Sequence, residues 1–105
     1  MNVRFAHGQV RFRTERSELA TLLAGRTLSM RVDLSGQHAF RATVAPGRLA
    51  SWRLDSDPTG LWLVIPLKEL EAFANDVPTS EGIAHRFELE NGATVDVTFE
   101  VDVRG

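Results

Sequence analysis

Five arginines stand among apolar residues at strand-like spacing: Arg4, Arg11, Arg13, Arg31 and Arg41. A guanidinium is a planar fork of donors that suits carboxylates and phosphates. Placed at every second residue, such groups project from one face of a strand. The chemistry this pattern allows is recognition of an anion. Counter-charges are present as well. Residues 1–53 hold nine arginines against Glu15, Glu18 and Asp33, a balance of +6. Residues 54–105 hold eleven acids against Lys68, Arg86 and Arg104, a balance of −8. Glu88, Glu90, Asp96, Glu100 and Asp102 alternate with apolar residues as the arginines do. Basic and acidic strands could adjoin and neutralise each other. The basic face could instead hold an acidic protein or another anion, or opposite charges could pair across a homodimer.

Other residues with chemical capacity are few. Asp55-Ser56-Asp57-Pro58-Thr59 has the Asp-x-Asp-x-Thr order that resembles the magnesium site of haloacid-dehalogenase-type phosphatases. Those enzymes need a doubly wound parallel sheet and a later lysine, and Lys68 is the sole lysine here. A calcium loop starting at Asp55 would need Glu at its twelfth position, which is Pro66. Asp, Pro, Thr and Gly over 55–60 therefore predict a turn. His7, His38 and His85 show no metal-ligand spacing. Trp52 and Trp62 are expected as core or sheet-covering anchors, with a stacking platform for a ligand as the alternative.

The elements that carry these residues are short. Val3 and Phe5, then Val10 and Phe12, predict a hairpin turning at His7-Gly8-Gln9. Thr14 is the expected N-cap of a helix over 15–24, with Leu19 and Leu22 on its apolar face and Gly25 as its stop. Leu28 to Leu34 and Phe40 to Val44 predict a second hairpin, turned at Ser35-Gly36 and broken at Pro46-Gly47. Ala50, Trp52 and Leu54 alternate. The apolar run Leu61–Ile65 predicts a strand covered on both faces. Pro66 is expected at the first position of a helix over 67–75, ended by Asn75 and Pro78. Phe87 and Leu89, the Asn91-Gly92 turn of type I′, and Val95 to Val103 complete the chain. The order of elements allows two ββαββ halves, 1–46 and 47–105, with Arg16–Leu19 aligned over Leu67–Leu70.

At 105 residues the chain fits one domain with a core of its own. Without cysteine it has no disulfide, thiolate zinc site or cysteine nucleophile. Arg4, His7, Arg11 and Arg13 interrupt any apolar leader, and no apolar run approaches membrane-spanning length. A cytoplasmic protein with no membrane partner is the expectation. A net charge of −2 argues against bulk nucleic-acid binding.

Val3-Arg4-Phe5, Gly8, Val10-Arg11-Phe12-Arg13 and Thr14 through Leu19 resemble the opening of an uncharacterised family of small bacterial β-rich proteins. The strand running into Pro66 and the long closing strand are similar too. The resemblance implies a basic-apolar hairpin followed by a Thr-capped helix, and it implies no activity. Members often carry a further tail with an aromatic and a cysteine, which this sequence lacks.

The fold class expected is α+β: about eight short, mostly antiparallel strands in a curled or partly closed sheet, with two short helices. The expected core is Val3, Phe5, Val10, Phe12, Leu19, Leu22, Met30, Val32, Phe40, Val44, Leu63, Ile65, Leu70, Phe73, Phe87, Leu89, Val95, Val97, Phe99 and Val101. The expected function is a non-catalytic binding or interaction module that uses Arg4, Arg11, Arg13, Arg31 and Arg41, with no cofactor or metal. The alternatives are a small enzyme built from dispersed carboxylates (Asp55, Asp57) and a histidine, and an RNA-binding domain.

Overall fold

The computed structural model describes residues 1–77 and 82–102. It is α+β. Eight strands are present among these residues: β1 (Asn2–Ala6), β2 (Gln9–Thr14), β3 (Leu28–Leu34), β4 (His38–Gly47), β5 (Arg53–Asp57), β6 (Gly60–Pro66), β7 (Gly82–Glu88) and β8 (Thr94–Val101). Helices α1 (Arg16–Leu23) and α2 (Leu67–Asp76) follow β2 and β6. No described helix is long and apolar enough to cross a membrane.

The strands divide between two sheets rather than one curled sheet. The first has the order β1-β2-β8-β7 and the second β3-β4-β6-β5. Four antiparallel hairpins supply the strands, and each sheet is closed at its centre by a parallel pair, β2 with β8 and β4 with β6. Alternation marks a strand's two faces but not its partner, so the parallel pairs were not legible in it. The two sheets follow one pairing scheme. Asn2 opposes Arg13 and, 51 residues on, Arg53 opposes Val64. Leu28 opposes Val44 and, 55 residues on, Ile83 opposes Phe99.

The core lies between the inner faces. Phe12, Val97, Phe99 and Val101 come from the first sheet, and Ala42, Val44, Leu61, Leu63 and Ile65 from the second. Leu19 and Leu22 of α1 and Leu70 and Phe73 of α2 fill it at helical spacing. Phe73 meets Phe99 edge to face at 6.2 Å.

Several local expectations are corrected. Thr14 does not cap α1. It ends β2, buried, and its hydroxyl donates to the Glu100 carbonyl at 2.9 Å. Glu15 is the N-cap, and Glu18 Oε1 accepts its N–H at 2.9 Å. Gly25, at φ 85°, ends α1 as expected: its N–H donates to Leu22 and that of Arg26 to Thr21. Pro46-Gly47 does not break β4, which continues beside β6 to Gly47. Pairing with β3 stops at Val44, so Pro46 sits where one edge of β4 is open. β5 starts at Arg53, leaving Ala50 and Trp52 in the connection before it. Asp55 and Asp57 are extended residues of β5, and the turn is only Pro58-Thr59. Pro66 is the N-cap of α2 rather than its first helical residue, and α2 continues through Asn75. Pro78 and Val103 lie outside the described residues. Of Asn91 and Gly92 only Gly92 has positive φ, so the hairpin is not type I′. It is a Leu89–Gly92 turn, closed by the Gly92 N–H on the Leu89 carbonyl at 3.0 Å.

β6 is covered on one face only. Leu61, Leu63 and Ile65 are buried, whereas Trp62 is 39% exposed on the outer face. Phe5, Val32 and Leu89, expected in the core, are exposed. They lie at or near hairpin ends, and Phe5 still meets Phe40 of the other sheet edge to face at 6.1 Å.

Candidate functional site

The five arginines split between the two sheets. Arg4, Arg11 and Arg13 lie on the outer face of the first, opposite in parity to buried Phe12. Arg31 and Arg41 lie on the outer face of the second, opposite in parity to buried Ala42 and Val44. No single surface holds all five.

On the first sheet the basic and acidic strands adjoin. β2 runs parallel to β8, with Arg13 beside Glu100. Arg11 Nε lies 3.2 Å from Glu100 Oε1, and Arg13 Nη2 lies 3.8 Å from Asp102 Oδ2. On the next pair of strands Arg86 grips Asp96 with both prongs, at 2.7 and 3.3 Å. That hydrogen bonding holds the Asp96 carboxyl below the ordinary carboxylate range and raises the Arg86 guanidinium further. The result is a self-neutralising ladder of solvent-exposed pairs, which water and salt screen. Arg4 stands opposite Arg11, and no ion pair joins it to another described residue.

The second sheet is different. Arg31 stands directly opposite Arg41, an unfavourable placement for like charges. Arg31 is relieved by Asp33 of its own strand, at 2.9 Å. No ion pair joins the Arg41 guanidinium to another described residue. Cross-strand register puts Thr43, Trp62 and Asp55 in one row and Arg31, Arg41, Gly60 and Asp57 in the next. Gly60 is required there, because a Cβ would collide with the Arg41 carbonyl. The Ser29 and Thr43 hydroxyls share a hydrogen bond of 3.2 Å on the same face. At the far side Arg53 closes on Asp55 at 2.8 Å. Asp57 accepts from the Thr59 hydroxyl and N–H, which lowers its pKa. The face is thus open to solvent, with an exposed indole diagonal to an uncommitted guanidinium. It can cover an apolar group and bind a carboxylate together.

The residues proposed for catalysis do not converge. Asp55 and Asp57 are exposed on β5, and each is bound to a neighbour in its own segment. His85 lies on the inner side of β7, stacked on Trp52 at 5.5 Å and edge to face with Phe87 at 4.7 Å. Trp52 is 7% exposed, and its indole N–H donates to Glu69 Oε2 at 2.6 Å. Among the described residues no group of three His, Asp or Glu is arranged to hold a metal ion. Four surface clefts of about 210 to 450 Å³ are lined by residues that include no histidine.

Of the two tryptophans expected as anchors or as a stacking platform, Trp52 is buried and Trp62 is exposed on the outer face. Its parity carried the signal, since Leu61, Leu63 and Ile65 form one alternating set and Trp62 the other. Among known proteins, the chain matches no family model and no curated sequence.

Proposed function

We propose that this protein is a non-catalytic interaction module whose contact surface is the outer face of the second sheet. Arg41 and Trp62 lead the contact, with Arg31 and Thr43 around them. The partner is an acidic protein segment carrying apolar side chains. One observation carries the choice: Trp62 is 39% exposed on the face where Arg41 has no counter-charge. The first sheet is the poorer surface, because Glu100 and Asp102 already occupy Arg11 and Arg13. A polyphosphate would meet Asp33, Asp55 and Asp57 around the same rows, which disfavours RNA. In this reading the module works in the cytoplasm as a relative of the small bacterial proteins its opening hairpin resembles.

The test is binding of a glutamate- and leucine-containing oligopeptide, followed by calorimetry at rising salt. Binding that weakens with salt and is lost in Arg41→Glu, but persists in Arg13→Glu, supports the surface. Equal losses in both variants would reject it.

A further inference from the structure

The contact face belongs to a sheet with an unclosed border. β3 is an end strand of its sheet, seven residues long, and among the described residues nothing pairs with its outer side. Unpaired edges are normally blunted by charged side chains, lysine above all, or by a proline, a bulge or a cover, and the two charges of β3, Arg31 and Asp33, are opposite in sign and cancel along the strand. β3 has no proline or lysine, and its register to β4 is continuous over all seven residues. It also holds exposed apolar side chains on the inner side of the sheet. Val32 is 43% and Leu34 53% exposed. Phe5, 60% exposed, stands 6.1 Å from Phe40, the residue opposite Val32.

We propose that β3 pairs antiparallel with β3 of a second copy of this chain, about a two-fold axis through Val32. The sequence of β3 is self-complementary in that register. Arg31 falls opposite the partner's Asp33, and Asp33 opposite the partner's Arg31. On the inner side Val32 meets the partner's Val32, and Met30 meets the partner's Leu34. The contact is isologous, so it closes as a dimer. Arg31 and Asp33 now pair only with each other along their own strand, with side chains 55% and 78% exposed. Across the axis both would gain a cross-strand counter-charge.

The other three edges are less suited. β1 carries only Arg4, which would face Asn2 or another Arg4. β5 has the Arg53-Leu54-Asp55 order but begins at Arg53, so a two-fold at Leu54 would overlap only three strand residues. β7 has Arg86-Phe87-Glu88, but it ends at Glu88 and Arg86 is already held by Asp96. Around Val32 the overlap is Met30–Leu34, wholly within the strand.

A two-fold axis normal to the sheet leaves both outer faces on one side. The dimer would then present two copies of the Trp62–Arg41 surface on a continuous eight-stranded sheet. An extended or multivalent acidic partner would be held by both, with a gain in avidity. This last consequence rests on the contact face proposed above; the pairing itself does not.

The experiment is the mass of the full chain in solution, by sedimentation across a concentration series. The wild-type chain should reach twice its 11.6 kDa. Arg31→Asp and Asp33→Arg should each stay at the mass of one chain, since each sets like charges across the axis. An equimolar mixture of these two variants should recover the doubled mass, and so should the double charge swap in one chain. That recovery also shows that the single variants are folded. A wild-type chain of single mass at every concentration overturns the pairing. So does a dimer that survives both single reversals, or open-ended growth. Acidic-peptide binding by a chain that stays monomeric would overturn the pairing and leave the contact face standing.

Discussion

The Trp52 indole N–H donates to Glu69 Oε2 at 2.6 Å, which ties the β4–β5 connection to the first turn of α2. A parallel contact exists 51 residues earlier, where the Met1 amino group reaches Glu18 Oε2 at 2.7 Å in the first turn of α1. In both places a group just ahead of a hairpin is fastened to a glutamate of the helix that follows it. Trp52 is almost fully covered, so its N–H has little water to turn to. Glu69→Ala should therefore cost about 1–3 kcal/mol in chemical denaturation. Glu69→Gln keeps an acceptor and should lose clearly less. Equal losses in the two variants would show that the carboxylate matters for something other than this bond.

Phe99 is fully buried against Phe73 at the centre of β8. Phe99→Ala should lower stability by about 3–5 kcal/mol, read from the denaturant midpoint at unchanged slope. Phe5→Ala, at an exposed position expected in the core from sequence, should cost far less. A reversed order would place the core elsewhere.

Those two phenylalanines show what was legible in the sequence. Period-two alternation assigned both to inner faces, correctly in parity. It could not tell that β8 is flanked by β2 and β7 while β1 is an edge strand, which leaves Phe5 60% exposed. The helices were legible because Leu19, Leu22, Leu70 and Phe73 keep helical spacing and Gly25 stops α1. Thr14 was misread because a threonine before a glutamate suits a cap as well as a strand end. Its burial beside Glu100 depends on the β2–β8 pairing, which joins residues 86 apart. The arginines were found, but their division between a neutralised and an open face depends on that same long-range pairing. The exposure of Trp62 was not legible, because the apolar residues of its run fill both parities and predict a strand covered on both faces.

Gly60 stands where β6 begins against Arg41. A methyl group there meets the Arg41 carbonyl, so Gly60→Ala must push β6 away from β4 or distort the turn. A loss of about 1–3 kcal/mol is expected, with altered amide shifts at Arg41 and Trp62. An unperturbed Arg41 amide would contradict the close approach.

Acid should act through the exposed ladder. The folded Asp96 carboxyl is more acidic than the unfolded one, because Arg86 hydrogen-bonds its charged form. Its contribution is complete above the unfolded pKa and is lost as pH falls through the folded one. Stability should therefore fall below about pH 4, and Asp96→Asn should make that fall shallower. Thermal melts of both proteins between neutral pH and about pH 2.5 measure the difference. An identical acid limb would mean that the pair contributes nothing.

The central claim is that an acidic segment docks on the outer face of the second sheet. Amide chemical-shift mapping of the labelled full chain during titration with the glutamate–leucine peptide tests it most directly. Shifts should gather at Arg31, Arg41, Thr43, Gly60 and the Trp62 indole, leave Arg11 and Arg13 in place, and vanish in Arg41→Glu. Shifts centred on β2 and β8, or none at Trp62, would contradict the account.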